Sequence, residues 1–241
     1  MIKTGIQIFK NATILLSGYN ISGDSNKVAL SSKADVKDRT TFNNTARRRV
    51  CGLLDTSISA EGFFDPAKDA GLFDFIASGE KIIAVSPAVG LAGDLVYFAK
   101  CQTAEYTPLE GAIGELAAFR LSAQGNGPLI RGKMLERSTK TATAPGTAAN
   151  IGAVLATQKV YVCPHVLAVS GTNPTLDLKI QSDDALSTSS PIDRITFDQM
   201  TTVGAQWKEL AGPITDTWWR VNYTLGGTDP SFVIAVVIGI K

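Results

Sequence analysis

Histidine is nearly absent from this sequence: His165 is the only one. That scarcity removes the commonest general acid–base group and the commonest metal ligand from almost every position. His165 sits mid-strand beside Pro164, among apolar neighbours, with no partners at ligand spacing, so a structural role is expected of it. Spacing does not exclude a Ser/His/Asp triad, but no G-x-S-x-G motif is present. Cysteine is scarce too. Cys51, Cys101 and Cys163 are odd in number, widely spaced and never C-x-x-C. A disulfide framework is therefore not expected; reduced, buried thiols are, which fits assembly in a cytoplasm. Charge is low at 19% of residues, and the net charge is +1. No global field recruits nucleic acid or an anionic membrane. The chain through Lys140 carries 17 basic and 14 acidic residues, and the remainder 6 and 8, an asymmetry too small to argue a function. Long apolar runs are missing as well. The longest, Phe232–Ile240, is too short to span a bilayer, so no membrane insertion is expected. MIKTGIQIFKNATILLSG lacks the apolar core and small-residue cleavage site of a signal peptide, and none is expected.

Small and hydroxylated residues fill the space left by charge, a mix that suits β-sandwiches and large assemblies. The most informative stretch is Thr40–Asp65. Ser57, Ser59 and Glu61 alternate with Ile58, Ala60 and Gly62, so a strand with one buried and one wet face is predicted. Phe63 and Phe64 close it. Asp65-Pro66 then reads as N-cap and first helical position. The predicted helix runs over Pro66–Ser78, with Ala67, Ala70, Phe73 and Ala77 as its stripe, Leu72 and Ile76 widening it, and Gly79 as C-cap.

Along the rest of the chain, Gly5–Phe9 and Thr13–Leu16 read as a hairpin, and Asp35–Asn44 as a loop. Ile82–Val85, Asp94–Cys101 and Glu115–Ser122 read as strands, with turns at Tyr106–Gly111 and Gln124–Pro128. The G-N-G-P of that second turn lacks the lysine and the helix of a phosphate loop. Ser138–Asn150 is poor in apolar bulk and reads as a linker. Beyond it the strands lengthen. Lys159–Ser170 holds Pro164, which predicts an edge or a bulge. Turns are predicted at Gly171–Pro174 and Gly226–Pro230. In Phe232–Ile240 both alternating faces are apolar, so cover on both sides is predicted. The expected division is 1–137, a linker 138–150, and a β-sandwich at 151–241, jelly-roll or Ig-like.

The block T-T-F-N at Thr40–Asn43, R-V-C-G-L-L at Arg49–Leu54 and D-T-S-I-S-A-E-G-F-F-D at Asp55–Asp65 resembles the tail-tube (major tail) proteins of long-tailed bacteriophages. Leu15–Ser22 and Tyr106–Gly132 have the same flavour. The resemblance covers roughly residues 1–135. It implies a mainly β chain: a tail-tube-like β-sandwich or barrel with one flanking helix, here followed by an appended sandwich. It further implies a structural virion protein assembled in the host cytoplasm. Subunits of that family close into hexameric rings, whose inner strands form a continuous barrel. The rings stack on each other, join other tail proteins and pass genomic DNA without reading it. A long loop in the Asp35–Asn44 region would reach a neighbouring subunit or ring, or else stay solvated on its own subunit. Arg39, Phe42, Arg47, Arg48 and Arg49 are the candidate inter-subunit contacts. The run Arg47–Arg49 has two readings, contact with phosphate or an acidic surface, or ion pairing with Asp/Glu of this or a neighbouring chain, and the lack of interleaved aromatics favours pairing.

Catalytic, metal and cofactor sites are not expected. Asp183-Asp184 reads as a turn former, and Glu105, Glu110 and Glu115 are scattered over turns and strands. Two other functions stay open. One is a capsid decoration or head–tail joining protein. The other is a carbohydrate-binding module, with Trp218 and Trp219 as an adhesive surface. Neighbouring strand residues point opposite ways, however, so one of these tryptophans is expected in a core and the other at an interface or under a loop. Trp207 is expected in a core.

Overall fold

A computed structural model describes residues 10–76, 78–187 and 189–241. The expected strand at Gly5–Phe9 and the stripe residue Ala77 lie outside the described residues. The chain is mainly β, with one α-helix among the described residues. In order, the elements are β1 (Thr13–Leu16), β2 (Tyr19–Asn20), β3 (Ser25–Asp38), β4 (Arg49–Phe63), α1 (Pro66–Phe73), β5 (Lys81–Ser86), β6 (Leu95–Glu110), β7 (Ala118–Gly125) and β8 (Ile130–Lys140). There follow β9 (Ala144–Pro145), β10 (Ala149–Asn150), β11 (Lys159–Asp183), β12 (Ile192–Thr196), β13 (Gly204–Ala205), β14 (Lys208–Ala211) and β15 (Trp218–Ile240).

Contacts group these elements into two compact units. One comprises Asp24–Lys81 and Ala99–Leu129; the other comprises Met1–Gly23, Ile82–Phe98 and Ile130–Lys241. This grouping differs from the sequential division at 138–150. That segment is not a bare connection: Ser138, Thr139 and Lys140 pair with β15, and so do Ala144–Pro145 and Ala149–Asn150. Small residues and Pro look like linker, but a ladder needs only backbone groups, which composition does not report.

The larger unit is built on a long antiparallel ribbon, β11 against β15, in register from Val160↔Ile240 to Asp183↔Trp218. The strand order is β12-β11-β15-β8-β6-β5-β1-β2, with only the first residues of β6 belonging here. The expected two-sided cover of β15 is observed. Phe232, Ile234, Val236 and Ile238 enter one apolar cluster with Leu178, Ile180 and Trp219, while Ala235 and Val237 enter another with Phe98, Met134 and Cys163. Each fully buried Ile or Phe stabilises by about 1.5–3 kcal/mol, so an all-apolar strand is stable where both faces are dry.

Three sequence expectations change here. Gly171–Pro174 and Gly226–Pro230 do not reverse the chain. They are bulged bends, facing each other, in strands that continue, with register shifts between Ser170/Thr172 and Thr172/Thr175. Gly171 (φ 112°) and Asn173 (φ 49°) bend β11, and Gly227 (φ 99°) and Asp229 (φ 48°) bend β15. Gly, Asn and Asp supply positive φ to a bulge as readily as to a turn, so composition does not separate the two. Pro164 is also not on an outer edge. It is buried in β11 opposite Val236, in the gap between β13 and β14, where its carbonyl accepts from Gln206 N at 3.1 Å and no ladder donor is needed.

A Cβ on Gly227 would lie 2.5 Å from the Asn173 carbonyl oxygen, in addition to the unfavourable φ. Gly227→Val is expected to cost about 1–3 kcal/mol, read as a lower chemical-denaturation midpoint. An unchanged midpoint would show that the bend is not required.

Candidate assembly surface

The smaller unit starts from the period of two in β4. Ile58, Ala60 and Gly62 are buried, together with Phe119, Leu121 and Ala123 of β7 and Cys101, Thr103 and Tyr106 of β6. Strand order is β3-β4-β7-β6, antiparallel throughout. Tyr106–Glu110 therefore belongs to a strand, not to the turn expected at Tyr106–Gly111, and β7 begins at Ala118 rather than Glu115. Leu116, expected to alternate in that strand, lies in the connecting loop.

The helix begins as expected. Asp65 is extended (φ −120°, ψ 111°), its side chain accepts from Ala67 N at 2.9 Å, and Pro66 follows. It ends sooner than expected, capped at Asp74 rather than Gly79. Its buried residue is Leu72, while Ala67, Ala70 and Phe73 are exposed. Gly71 inside the helix and the lack of a basic residue in its last turn both weaken extension. Tyr106 Oη donates to Asp69 Oδ1 at 2.9 Å, tying helix to sheet. Burial, then the Asp69 carboxylate, push the Tyr106 phenol upward. Lys68 pairs with Asp24 and, at 3.3 Å, with Asp65.

The opposite face of this sheet is polar. Across it lie Ser31, Ser57, Ser59, Ser122, Gln102, Gln124 and Thr107, placed by register. Its charges neutralise one another: Lys27 pairs with Glu61 at 3.0 Å, Arg120 with Glu61 at 3.7 Å, and Arg120 with Glu110 at 3.4 Å.

β7 pairs with β4 only from Ser57 to Phe63, so from Arg49 to Thr56 the strand has β3 alone beside it. Asp35–Asp38, expected in a loop, lies in β3; the loop proper is 39–48. Strand pairing with Arg49–Leu54 decided this against a weak local pattern. From 32 to 55 every residue but Asn44 is exposed, including Val36, Val50, Leu53 at 86% and Phe42 at 109%. The tip closes on itself: Arg39 N donates to Arg48 O at 2.9 Å, Arg48 N to Thr40 Oγ1 at 2.9 Å, and Thr40 N to Asp38 Oδ1 at 2.8 Å. Thr40 holds the Asp38 carboxyl below its usual range. The structure thus gathers Arg39, Phe42, Arg47, Arg48 and Arg49 on one hairpin end. Among the described residues no ion pair forms on these four arginines, so the same-chain version of the pairing reading is not observed.

A second exposed apolar set went unread in the sequence. Leu109 (63%), Ile113 (108%) and Leu116 (73%) mark the β6–β7 connection. Two glycines flanking Ile113 were the available signal, since they place an apolar residue in a loop.

Trp219 is fully buried, with Nε1 donating to Gly152 O at 3.0 Å, so it is withdrawn from the proposed adhesive pair. Trp218 is half-buried. Trp207 is half-buried against Phe98 and Tyr161, with ring centres 5.5 and 5.7 Å away. Cys101 and Cys163 are buried as expected, and burial pushes the Cys101 thiol up to about 12. Cys51 is instead exposed, on the open hairpin. His165 is wholly buried: Nδ1 accepts from Gly18 N at 3.3 Å, and Nε2 lies 3.3 Å from Cys163 Sγ. Among the described residues no group of three or more His, Cys, Asp or Glu is placed to hold a metal.

No protein-family model matches this sequence. No curated protein matches it. Among solved structures the chain is similar to one described as the virion of a native gene transfer agent particle, at 17% identity over 52% of this chain and 97% of the other, with a TM-score of 0.44. It is similar to the SPP1 Dit protein, described as a paradigm of the hub adsorption apparatus in phages infecting Gram-positive hosts, at 12% identity over 96% and 100%, TM-score 0.36. It is also similar to the anti-feeding prophage cap, at 12% identity over 55% and 99%, TM-score 0.40. At such scores these likenesses assign no role to any residue.

Two outcomes follow from the geometry. Phe42→Ser should leave stability within about 0.5 kcal/mol, because the ring touches nothing in its own chain; a clear loss in denaturant midpoint would show a hidden contact. Burial depresses His165 from 6.5 to about 3, so between those pH values the unfolded chain binds a proton that the folded chain refuses. Stability should be level above about pH 6.5, fall as pH drops toward 3, and this part of the acid slope should flatten in His165→Gln. An unaltered slope would mean that His165 is protonated in the folded state.

Proposed function

We propose that this chain is a structural subunit of a bacteriophage tail, assembling with copies of itself into stacked hexameric rings that form a DNA-conducting tube. The observation that carries the reading is the far end of the β3–β4 hairpin, residues 32–55, where among the described residues no strand pairs with either outer edge and nearly every side chain is exposed. A lone two-stranded ribbon is marginal in water, and its unpaired N–H and C=O groups are a template for another strand. Pairing with the neighbouring copy's sheet would satisfy them, which is how a ring closes. The resemblance of Thr40–Asp65 to tail-tube proteins supports the same reading.

The polar sheet face is suited to a lumen wall. Each neutralised phosphate adds counterion-release affinity, so a basic wall would hold DNA fast. Here Lys27 and Arg120 are met by Glu61 and Glu110, and hydroxyls and amides fill the rest. The wall stays wet without gripping the phosphates. In this reading the subunit is located in the virion tail after assembly in the host cytoplasm, beside other tail proteins.

The test is negative-stain electron microscopy of purified protein, concentrated or seeded. Hollow tubes or stacked rings are expected. Monodisperse particles under seeding would remove the tube reading, and trimers on a shell would favour capsid decoration instead.

A further inference from the structure

The two ends of the β4 sheet in the smaller unit carry opposite charge, each around an exposed apolar cluster. At the hairpin end, residues 39–49 hold four arginines and no carboxylate, around Phe42. The other end of β4 is fixed by Phe63↔Ala118 and by Phe64 N donating to Ala117 O at 2.9 Å. There, residues 109–117 hold Glu110 and Glu115 and no lysine or arginine, around Leu109, Ile113 and Leu116. Arg49 to Phe63 spans roughly 46 Å at about 3.3 Å per residue, so the two ends are too far apart to satisfy one another within a single chain.

From this we infer that the arginine-rich tip of one copy docks on the glutamate-bearing segment 109–117 of the next, the end of β6 and the loop after it. This deepens the tail-subunit reading and rests on it. Glu110 already meets Arg120 at 3.4 Å, and Glu115 Oε2 accepts from Ala112 N at 3.3 Å; both side chains are exposed and keep oxygen lone pairs for guanidinium donors. Phe42 seats against Leu109, Ile113 and Leu116, giving the contact an apolar centre and a charged rim. Two different patches meet, so the contact is head-to-tail. Such a contact closes a ring or propagates a stack, and does not stop at a dimer. The chain's net charge of +1 leaves no long-range repulsion between copies to overcome.

The test uses the full chain in three forms: Arg47→Glu with Arg48→Glu and Arg49→Glu; Glu110→Lys with Glu115→Lys; and all five together. Far-UV circular dichroism verifies folding, and sedimentation with microscopy gives the critical concentration for assembly. Each reversal alone should raise that concentration about tenfold or more, and the combined chain should recover most of the loss. Wild-type assembly should also weaken on raising salt from about 0.1 to 0.5 M. Wild-type tubes with either reversal silent, no recovery in the combined chain, or assembly indifferent to salt would overturn this contact and leave the tail reading standing. A tip reversal that blocks assembly while the loop reversal does not would place the tip on another surface, which also overturns it. A wild-type chain that never assembles removes both.

Discussion

A backbone amide at the edge of a sheet has three outcomes: it meets water, it meets another strand, or it is hidden. In this chain that choice is left open along β3 and along Arg49–Thr56 of β4, where no described strand continues the ladder. The features around that edge are the usual restraints on promiscuous pairing. Lys27, Lys33 and Lys37 punctuate β3, and a register shift between Ala34 and Val36 twists the ribbon. They discourage indiscriminate aggregation and leave room for a partner of matching register. Val36, Leu53, Leu54 and Phe42 then make water an unsatisfactory permanent partner.

The two faces of the same small sheet divide the remaining work. One is covered by α1 through Leu72 and Tyr106. The other keeps serine, threonine and glutamine with internally neutralised charge. A face that is polar yet not basic is hard to explain as a nucleic-acid reader, and it has no aromatic platform for stacking bases. In the proposed reading it is a surface past which a polyanion moves.

Much of this was legible in the sequence wherever local chemistry acts alone. The alternation of Ser57–Gly62, the Asp65 cap before Pro66, the two apolar faces of Phe232–Ile240 and the opposed directions of Trp218 and Trp219 all depend on neighbours within a few residues. The misreadings share one cause. Asp35–Asp38 and Tyr106–Glu110 became strand because distant segments offered them a ladder, and Ser138–Asn150 gained pairs with β15 for the same reason. The bends at Gly171 and Gly227 used turn residues without turning. The hairpin arginines were singled out by their charge. Leu109, Ile113 and Leu116 were not, because an apolar residue reads as core until its exposure is known.

The pairing of β15 has a consequence for how the chain is made. β15 comes after all the other described strands in chain order, yet it is flanked by β8 and β11 and reaches both apolar clusters. The larger unit therefore cannot close until β15 has been made. The smaller unit has all its strands by Leu129. Contacts between residues so far apart in sequence make closure slow, and domains fold as units while synthesis proceeds. The open hairpin is thus presented to the cell while the rest of its own polypeptide is still on the ribosome, and its lysines and bulge must guard it against chance strand pairing in the meantime.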